Sequence, residues 1–371
     1  MIGYNCIRPF LMRLDAETAH DHTLRLLNVI SRCRVLRALE RGVVGSRVPD
    51  LPVSVFGKSF RNPVGLAAGF DKDAVAFKAL SGIGFGFVEL GTVTPEPQPG
   101  NPRNRLFRVP GDLAIINRLG FNSAGLEVFR RNLKRIRADS NAALVGINIG
   151  KNTATSNELA VQDYVRCLED IYEYADYVAI NVSSPNSPGL RDLQDTANLD
   201  RLLDAIMQKR DDLATIAGQV VPIALKISPD LDKGSIESIA DIVQEKNISA
   251  VIATNTTVTR PGSHAHPVYS ESGGLSGKPL ADLSTQVIRT FAEACDHQIP
   301  IIGAGGVFSA EDAWNKLMAG ACLIQIYSSL IYRGPSVVRK IVKGIKQRAN
   351  QFDDNDFNAA LKLARESHRM T

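Results

Sequence analysis

The chain has 371 residues, 44% hydrophobic and 22% charged, with a net charge of +4, a composition that supports a sizeable core and gives no global argument for nucleic acid. Its five cysteines are widely spaced and form no CxxC or Cys/His metal pattern, and no apolar run nears the roughly 20 residues of a membrane-spanning helix. The charge is concentrated at the front: residues 1–47 hold Arg8, Arg13, Arg25, Arg32, Arg34, Arg37, Arg41 and Arg47 against Asp15, Glu17, Asp21 and Glu40, leaving the remainder formally neutral.

In chain order, Ile7, Phe10, Leu11 and Leu14 share one helical face, and Ala19, Thr23, Leu26, Leu27 and Ile30 form a second stripe. Asp15 and Thr18 are the caps expected between them. This predicts two short, arginine-flanked amphipathic helices over residues 1–45. They either pack on the main body or lie on a membrane surface, where stripes this short bind reversibly. The N-terminus lacks the uninterrupted apolar stretch of a signal peptide. With the cysteines read as reduced thiols, the expectation is a protein facing the cytoplasm, or peripheral to a membrane.

Eight short apolar runs follow, each ending in Gly, Ser, Thr or Asn: Val64–Gly69, Phe85–Val93, Ala143–Gly150, Tyr177–Ser184, Pro222–Ser228, Ala250–Thr256, Pro300–Gly306 and Leu323–Ser328. Continuous runs, rather than alternating ones, suit parallel strands buried on both faces. Helical patterns lie between them, including Asp163–Tyr174, Leu199–Ala217, Lys233–Lys246, Leu280–Ala294 and Ala310–Ala319. Eightfold strand–helix repetition predicts an α/β fold, a (β/α)₈ TIM barrel over residues 46–347. An open doubly wound sheet is the alternative, but the glycine-rich stretches do not match GxGxxG. Residues 348–371 read as a polar C-terminal tail with a helix over Ala359–Arg365, peripheral to the barrel.

Three connections exceed the usual length of about two to six residues: Thr94–Asn122, rich in proline, glycine and arginine; Pro185–Ala197; and Thr257–Pro279, with His264 and His266. All follow strand ends, the face on which barrel enzymes carry their sites. Polar side chains gather on the same rim: Asp71-Lys72-Asp73, Thr92, Asn148, Asn181, Ser183, Ser184, Asn186, Lys226, Thr254-Asn255-Thr256 and Tyr327-Ser328. Any one of them reads alone as a cap or loop hydroxyl; their coincidence on one rim points to a site.

No Asp/Glu/His cluster has ligand spacing, so no metal is expected, and few rim acids argues against a paired-carboxylate glycosidase. The asparagines offer both donors and acceptors, suited to the edge of a planar, amide-like ring. Gly303–Gly306 with Tyr327-Ser328 marks the place where barrels bind phosphate through backbone N–H groups. A phosphate with ring-facing lysines suggests flavin mononucleotide, Lys226 stabilising negative charge on the reduced ring. The other reading of Lys226 is a lysine paired with a neighbouring acid. Ser184 reads as a cap, a hydrolase nucleophile or a proton acceptor. GxSxG is absent, which weakens the nucleophile, and a serine base needs a polar relay and an acidified substrate proton.

At Asn181–Gly189, NVSSPNSPG, the chain resembles the dihydroorotate dehydrogenases, specifically their membrane-associated, quinone-dependent class 2. GLAAGFDKD (65–73), ELGTVTPEPQPGNPRNRLFR (89–108), INRLGFNSAG (116–125), GINIGKN (146–152), ALKISPD (224–230), ATNTT (253–257), GGLSGKPL (273–280), GAGGVFSAEDAW (303–314) and QIYSSL (325–330) resemble the same family in order. The resemblance covers roughly residues 5 to 345. It implies an FMN-bearing barrel that converts dihydroorotate to orotate in pyrimidine biosynthesis and passes electrons to a membrane quinone. FMN is then expected at Ala68, Thr92, Asn148, Asn181, Lys226, Thr254, Gly277, Gly306, Tyr327 and Ser328. Substrate is expected at Lys72, Asn117, Arg118, Leu119, Gly120, Phe121, Asn186, Asn255 and Thr256.

The resemblance makes Ser184 the base, where class 1 relatives carry cysteine. It turns the N-terminal helices into a quinone tunnel, with His20, Arg108 and Tyr327 lining it. It further implies a monomer, peripheral on the cytoplasmic face of the inner membrane and without nucleic acid. Two other readings are a soluble class 1-like enzyme using fumarate or a nicotinamide, and a catalytically silent flavin- or phosphate-binding barrel. Ser187 stands where many relatives have threonine in the proton relay, and the tail outruns the usual bacterial endpoint.

Overall fold

The computed structural model describes residues 4–43, 48–136, 143–261, 266–353 and 356–370. Residue 45, the expected end of the helical segment, and His264 lie outside them. Eight parallel strands close into a barrel: β1 (Val64–Leu66), β2 (Phe87–Val93), β3 (Leu144–Ile149), β4 (Tyr177–Asn181), β5 (Ile223–Ile227), β6 (Ala250–Ala253), β7 (Ile301–Ala304) and β8 (Leu323–Ile326). Neighbours pair in sequence order, and β8 returns to β1 through Ile324↔Val64, closing the ring. The barrel expectation holds and the open sheet does not.

Almost every strand residue is buried, because helices cover the outer face and side chains fill the interior. Most expected runs overshoot their strands at the polar end. Tyr177–Ser184, for instance, is strand only to Asn181, after which the backbone leaves the ladder and turns over the rim. At the other end, a hairpin of Val53–Val55 and Lys58–Phe60 closes the barrel, placing Phe60 edge-on to Phe87 with centroids 5.3 Å apart. Inside, a Cβ on Gly146 would lie 2.2 Å from the Tyr177 ring, so only glycine there leaves room for that ring.

Helices α1 (Tyr4–Arg13) and α2 (Ala16–Arg32) form as the stripes predict. Asp15 caps α2 by accepting from the Thr18 N–H at 2.9 Å; Thr18 is a donor within the first turn, not a second cap. A third helix, α3 (Arg34–Val43), follows. The pair packs on the barrel: Tyr4 Oη donates to Ile331 O at 2.5 Å, and Arg108 Nη1 donates to Leu11 O at 3.0 Å, satisfying a carbonyl of the last turn of α1.

Within the long connections, Leu106–Val109, Ala114–Asn117 and Gly274–Gly277 form a three-stranded antiparallel sheet over the rim. One reading needs correction: the C-terminal segment is not peripheral. Its helix, Phe357–Met370, buries Phe357, Ala360, Leu361 and Ala364, and Arg365 donates to Leu317 O and Ala321 O at 2.9 and 2.7 Å.

Candidate active site

The ends of the barrel strands and the three-stranded sheet enclose a cleft of about 1100 Å³ including its open mouth. Of the residues expected at a flavin, Ala68, Thr92, Asn181, Lys226, Thr254, Gly277, Gly306, Tyr327 and Ser328 line it. Asn148 does not. It lies beneath, fully buried, accepting from Thr92 Oγ1 and from Asn181 Nδ2 at 2.5 and 3.0 Å. Of the residues expected at the substrate, Lys72, Asn117, Leu119, Gly120, Phe121, Asn186, Asn255 and Thr256 line the cleft. Arg118 turns away: its guanidinium pairs with Glu271 at 2.6 Å and covers the Phe107 ring at 4.6 Å.

Ser184 lies three residues beyond β4, buried against the cleft, and its Oγ accepts from the Asn186 N–H at 3.3 Å. Asn255 Nδ2 donates to Ser183 Oγ at 3.0 Å, and Asn186 Nδ2 to Asn117 Oδ1 at 3.0 Å. His266 only caps a turn, accepting from the Val268 N–H at 3.3 Å. No histidine is hydrogen-bonded to Ser184 among the described residues, so the nucleophile reading lacks a base. Ser187 is buried nearby with no partner for its Oγ.

A planar polar ligand fits this lining. Asn186 Oδ1, Thr256 Oγ1, Gln325 Oε1 and Ser329 Oγ belong to the cleft and are buried without a partner in the chain, the condition that a ligand's polar edge corrects. At one end Gly277 and Gly306 hold φ of 101° and 72°, and a Cβ on Gly306 would sit 2.4 Å from Ala281 Cα. Ser276 Oγ and Ser328 Oγ are 3.0 Å apart beside them. Small residues and hydroxyls at this end make a cradle for an anion.

Charges around the cleft are tuned by burial. Loss of hydration, with Arg105 nearby, lowers Lys72 to about 8; its Nζ donates to Asn122 Oδ1. Asp71 is a loop anchor, accepting from the Val75 and Ala76 N–H groups, and burial raises it to about 6. Lys226 lines the cleft and also pairs with buried Glu89 at 3.4 Å.

A second cavity, about 1310 Å³ with its mouth and almost wholly apolar, lies between α1, α2 and the barrel. His20, Arg108 and Tyr327 all line it, as expected, and Tyr327 lines the first cleft too. Phe70, unmarked in the sequence reading, joins them: His20 meets it edge-on at 5.2 Å and it meets Tyr327 at 5.9 Å. Burial and the Lys72 charge push His20 down to about 4, so the imidazole is neutral at pH 7. Also missed was buried Glu17, whose carboxylate binds Arg105 while Arg105 Nη1 donates to Pro99 O and Asn101 O at 2.6 Å each. Glu89 and Gln325 carried a signal, being the one charged residue in β2 and the one polar residue in β8.

Residues 50–349 match the family model described as dihydroorotate dehydrogenase. The chain is 49% identical over 342 residues to "Dihydroorotate dehydrogenase (quinone)" of Burkholderia cenocepacia strain HI2424, covering 92% of this chain and 97% of that protein. The protein of that name from Burkholderia multivorans is also 49% identical, covering 93% and 98%. Among solved structures, DHODH of Eimeria tenella in complex with ferulenol superposes with a TM-score of 0.85 at 36% identity, covering 95% of this chain and 96% of that one.

Proposed function

The chain belongs to the dihydroorotate dehydrogenase family, and from that premise we propose how its parts divide the work. It is a flavin-dependent oxidoreductase that oxidises dihydroorotate to orotate in pyrimidine biosynthesis and delivers the electrons to a quinone. The observation that carries the assignment is the pair of cavities, one set with amides, hydroxyls and lysines and one almost wholly apolar, which share Leu106, Ile115 and Tyr327.

FMN is the flavin we assign, its phosphate in the Gly277–Gly306–Ser328 cradle and its ring against Ala68, Thr92, Asn181, Lys226 and Thr254. Bound there, a flavin supplies the hydride-accepting chemistry and returns the electrons to the acceptor. Lys226 brings positive charge to the site, and Asn148 holds Thr92 and Asn181 from below. Asn117, Asn186, Asn255 and Thr256 grip the amide edges of dihydroorotate, and Lys72 meets its carboxylate. Ser184 takes the proton from the ring carbon beside the carbonyl. Ser187 is the relay: as Ser184 takes the carbon-bound proton it gives up its own hydroxyl proton, which leaves through Ser187 towards solvent, and the buried, unpartnered hydroxyl of Ser187 supports the role. Arg118 contributes through loop geometry, since its side chain is engaged with Glu271.

The quinone enters the apolar cavity, with His20, Arg108 and Tyr327 around it. Phe10, Leu26, Val29, Val35 and Leu39 are exposed on α1–α3 among the arginines, a surface suited to a peripheral, reversible seat on an anionic membrane. Among the described residues no helix is long and apolar enough to cross one. We place the protein on the cytoplasmic face of the membrane, as a monomer without nucleic acid.

Adding dihydroorotate without oxygen is expected to bleach the flavin spectrum. Ser184→Ala should slow that bleaching by about 10²- to 10⁴-fold, the range for loss of a positioned base. Deleting residues 1–40 should abolish quinone reduction while bleaching persists at saturating dihydroorotate. An unchanged bleaching rate in Ser184→Ala would remove the base assignment.

A further inference from the structure

Glu89 stands in the middle of β2, fully buried in a strand that is otherwise without charge. Burying a carboxylate costs several kcal/mol before its partners respond. Here four donors converge on it from four other strands. Asn148 Nδ2 and Lys226 Nζ reach Oε1 at 2.8 and 3.4 Å, while Gln325 Nε2 and Tyr177 Oη reach Oε2 at 2.6 and 2.9 Å. Every partner offers a hydrogen, the arrangement that suits an ionised, acceptor-only carboxylate. Lys226 and Gln325 line the polar cleft, and Asn148 holds Thr92 and Asn181, which line it too. The floor of the cleft is thus built on one anion.

We propose that Glu89 is a positioning residue that sets the charge the floor presents to the flavin: it fixes Lys226 in place and offsets part of its positive charge. The proposal rests on the flavin reading of the cleft. Reduction adds negative charge to a flavin, which Lys226 favours and Glu89 opposes. A lysine alone would favour the reduced form more strongly; the carboxylate behind it moderates that preference. The same anion orients Gln325, whose free Oε1 remains in the cleft lining.

Glu89→Gln tests this without changing shape. The new amide N–H can be met by Gln325, whose amide flips to present the Oε1 that now lacks a partner, and Tyr177 can rotate its hydroxyl to accept. The readout is the midpoint potential of the purified flavin-loaded enzyme, titrated anaerobically against a reference dye. Glu89→Gln is expected to favour the reduced flavin at least tenfold, a positive shift of about 30 mV for a two-electron couple. A purely packing role for Glu89 would lower the melting temperature and leave the potential where it was. That result, a yellow variant with the native potential, overturns the proposal and leaves the flavin reading intact.

A native protein that folds but takes up no FMN removes the flavin reading itself. Should Glu89→Gln fail to retain flavin, Tyr177→Phe decides. It keeps the carboxylate and removes one donor that disperses its charge, so a negative shift supports the proposal, and an unchanged or positive one overturns it.

Discussion

The ion pair between Glu17 and Arg105 links the N-terminal helices to the loop over the active site, and Glu17→Gln tests that link. Both side chains are less than 10% exposed. Arg105 Nε lies 3.2 Å from each carboxylate oxygen and Nη2 lies 2.7 Å from Oε1, while Nη1 holds the carbonyls of Pro99 and Asn101. Asn101 in turn donates to Asn186 O at 3.0 Å, and Asn186 donates to Ser184 Oγ. Removing one partner of a buried pair costs about 3–5 kcal/mol. The amide of glutamine still accepts one bond, so the lower end, about 3 kcal/mol, applies, roughly 100-fold in a local opening equilibrium. Native-state hydrogen exchange should therefore quicken about 100-fold across α2, with a weaker grip on dihydroorotate. Arg105→Lys should behave alike, because a single ammonium cannot serve the carboxylate and both carbonyls. If α2 exchanges at its native rate in Glu17→Gln, the coupling does not exist.

Gly306→Ala should cost about 1–3 kcal/mol from overpacking against Ala281 and roughly 1–2 more from its left-handed backbone; denaturant melts and flavin content measure it, and a native-like holoenzyme would contradict the cradle. His20, held near 4, binds fewer protons folded than unfolded between about pH 4 and its ordinary value near 6.5, so its contribution to stability falls as pH drops through that window, by up to about 3 kcal/mol. Asp71, raised to about 6, binds more protons folded and works the opposite way, so the comparison is between native protein and His20→Gln, whose melting curves should converge towards pH 4. Phe357→Ala should destabilise the barrel by about 3–5 kcal/mol; a loss below 1 kcal/mol in urea titrations would return the C-terminal helix to the periphery.

The barrel was legible because two-sided burial writes each strand as an unbroken apolar run, and the rim because those runs end in hydroxyls and amides. The three-stranded sheet was not, since Thr94–Asn122 carries prolines, glycines and arginines that read as loop, and its pairing partner lies some 160 residues away at Gly274–Gly277. Spacing along the chain does not report such a contact. That Asn148 lies beneath the cleft and Arg118 turns towards Glu271 was not legible, because a residue's position in a motif does not say which way its side chain turns. Glu17 hid in an amphipathic helix as one more surface acid, and only packing against Arg105 separates it from Asp21. The C-terminal helix was misjudged because its polar and charged residues outnumber the four apolar ones that dock it.

A thin partition, Tyr327 with Leu106 and Ile115, lines both the cleft and the apolar cavity, and Phe70 packs against Tyr327 from the apolar side. On the proposed assignment, electrons cross that partition while the two small molecules stay apart, so natural selection can edit the two sides separately. The helix faces that line the apolar cavity can drift to suit acceptors with different tails, provided Glu17 keeps its hold on Arg105. Only the shared partition is answerable to both reactions, and it should change most slowly of all.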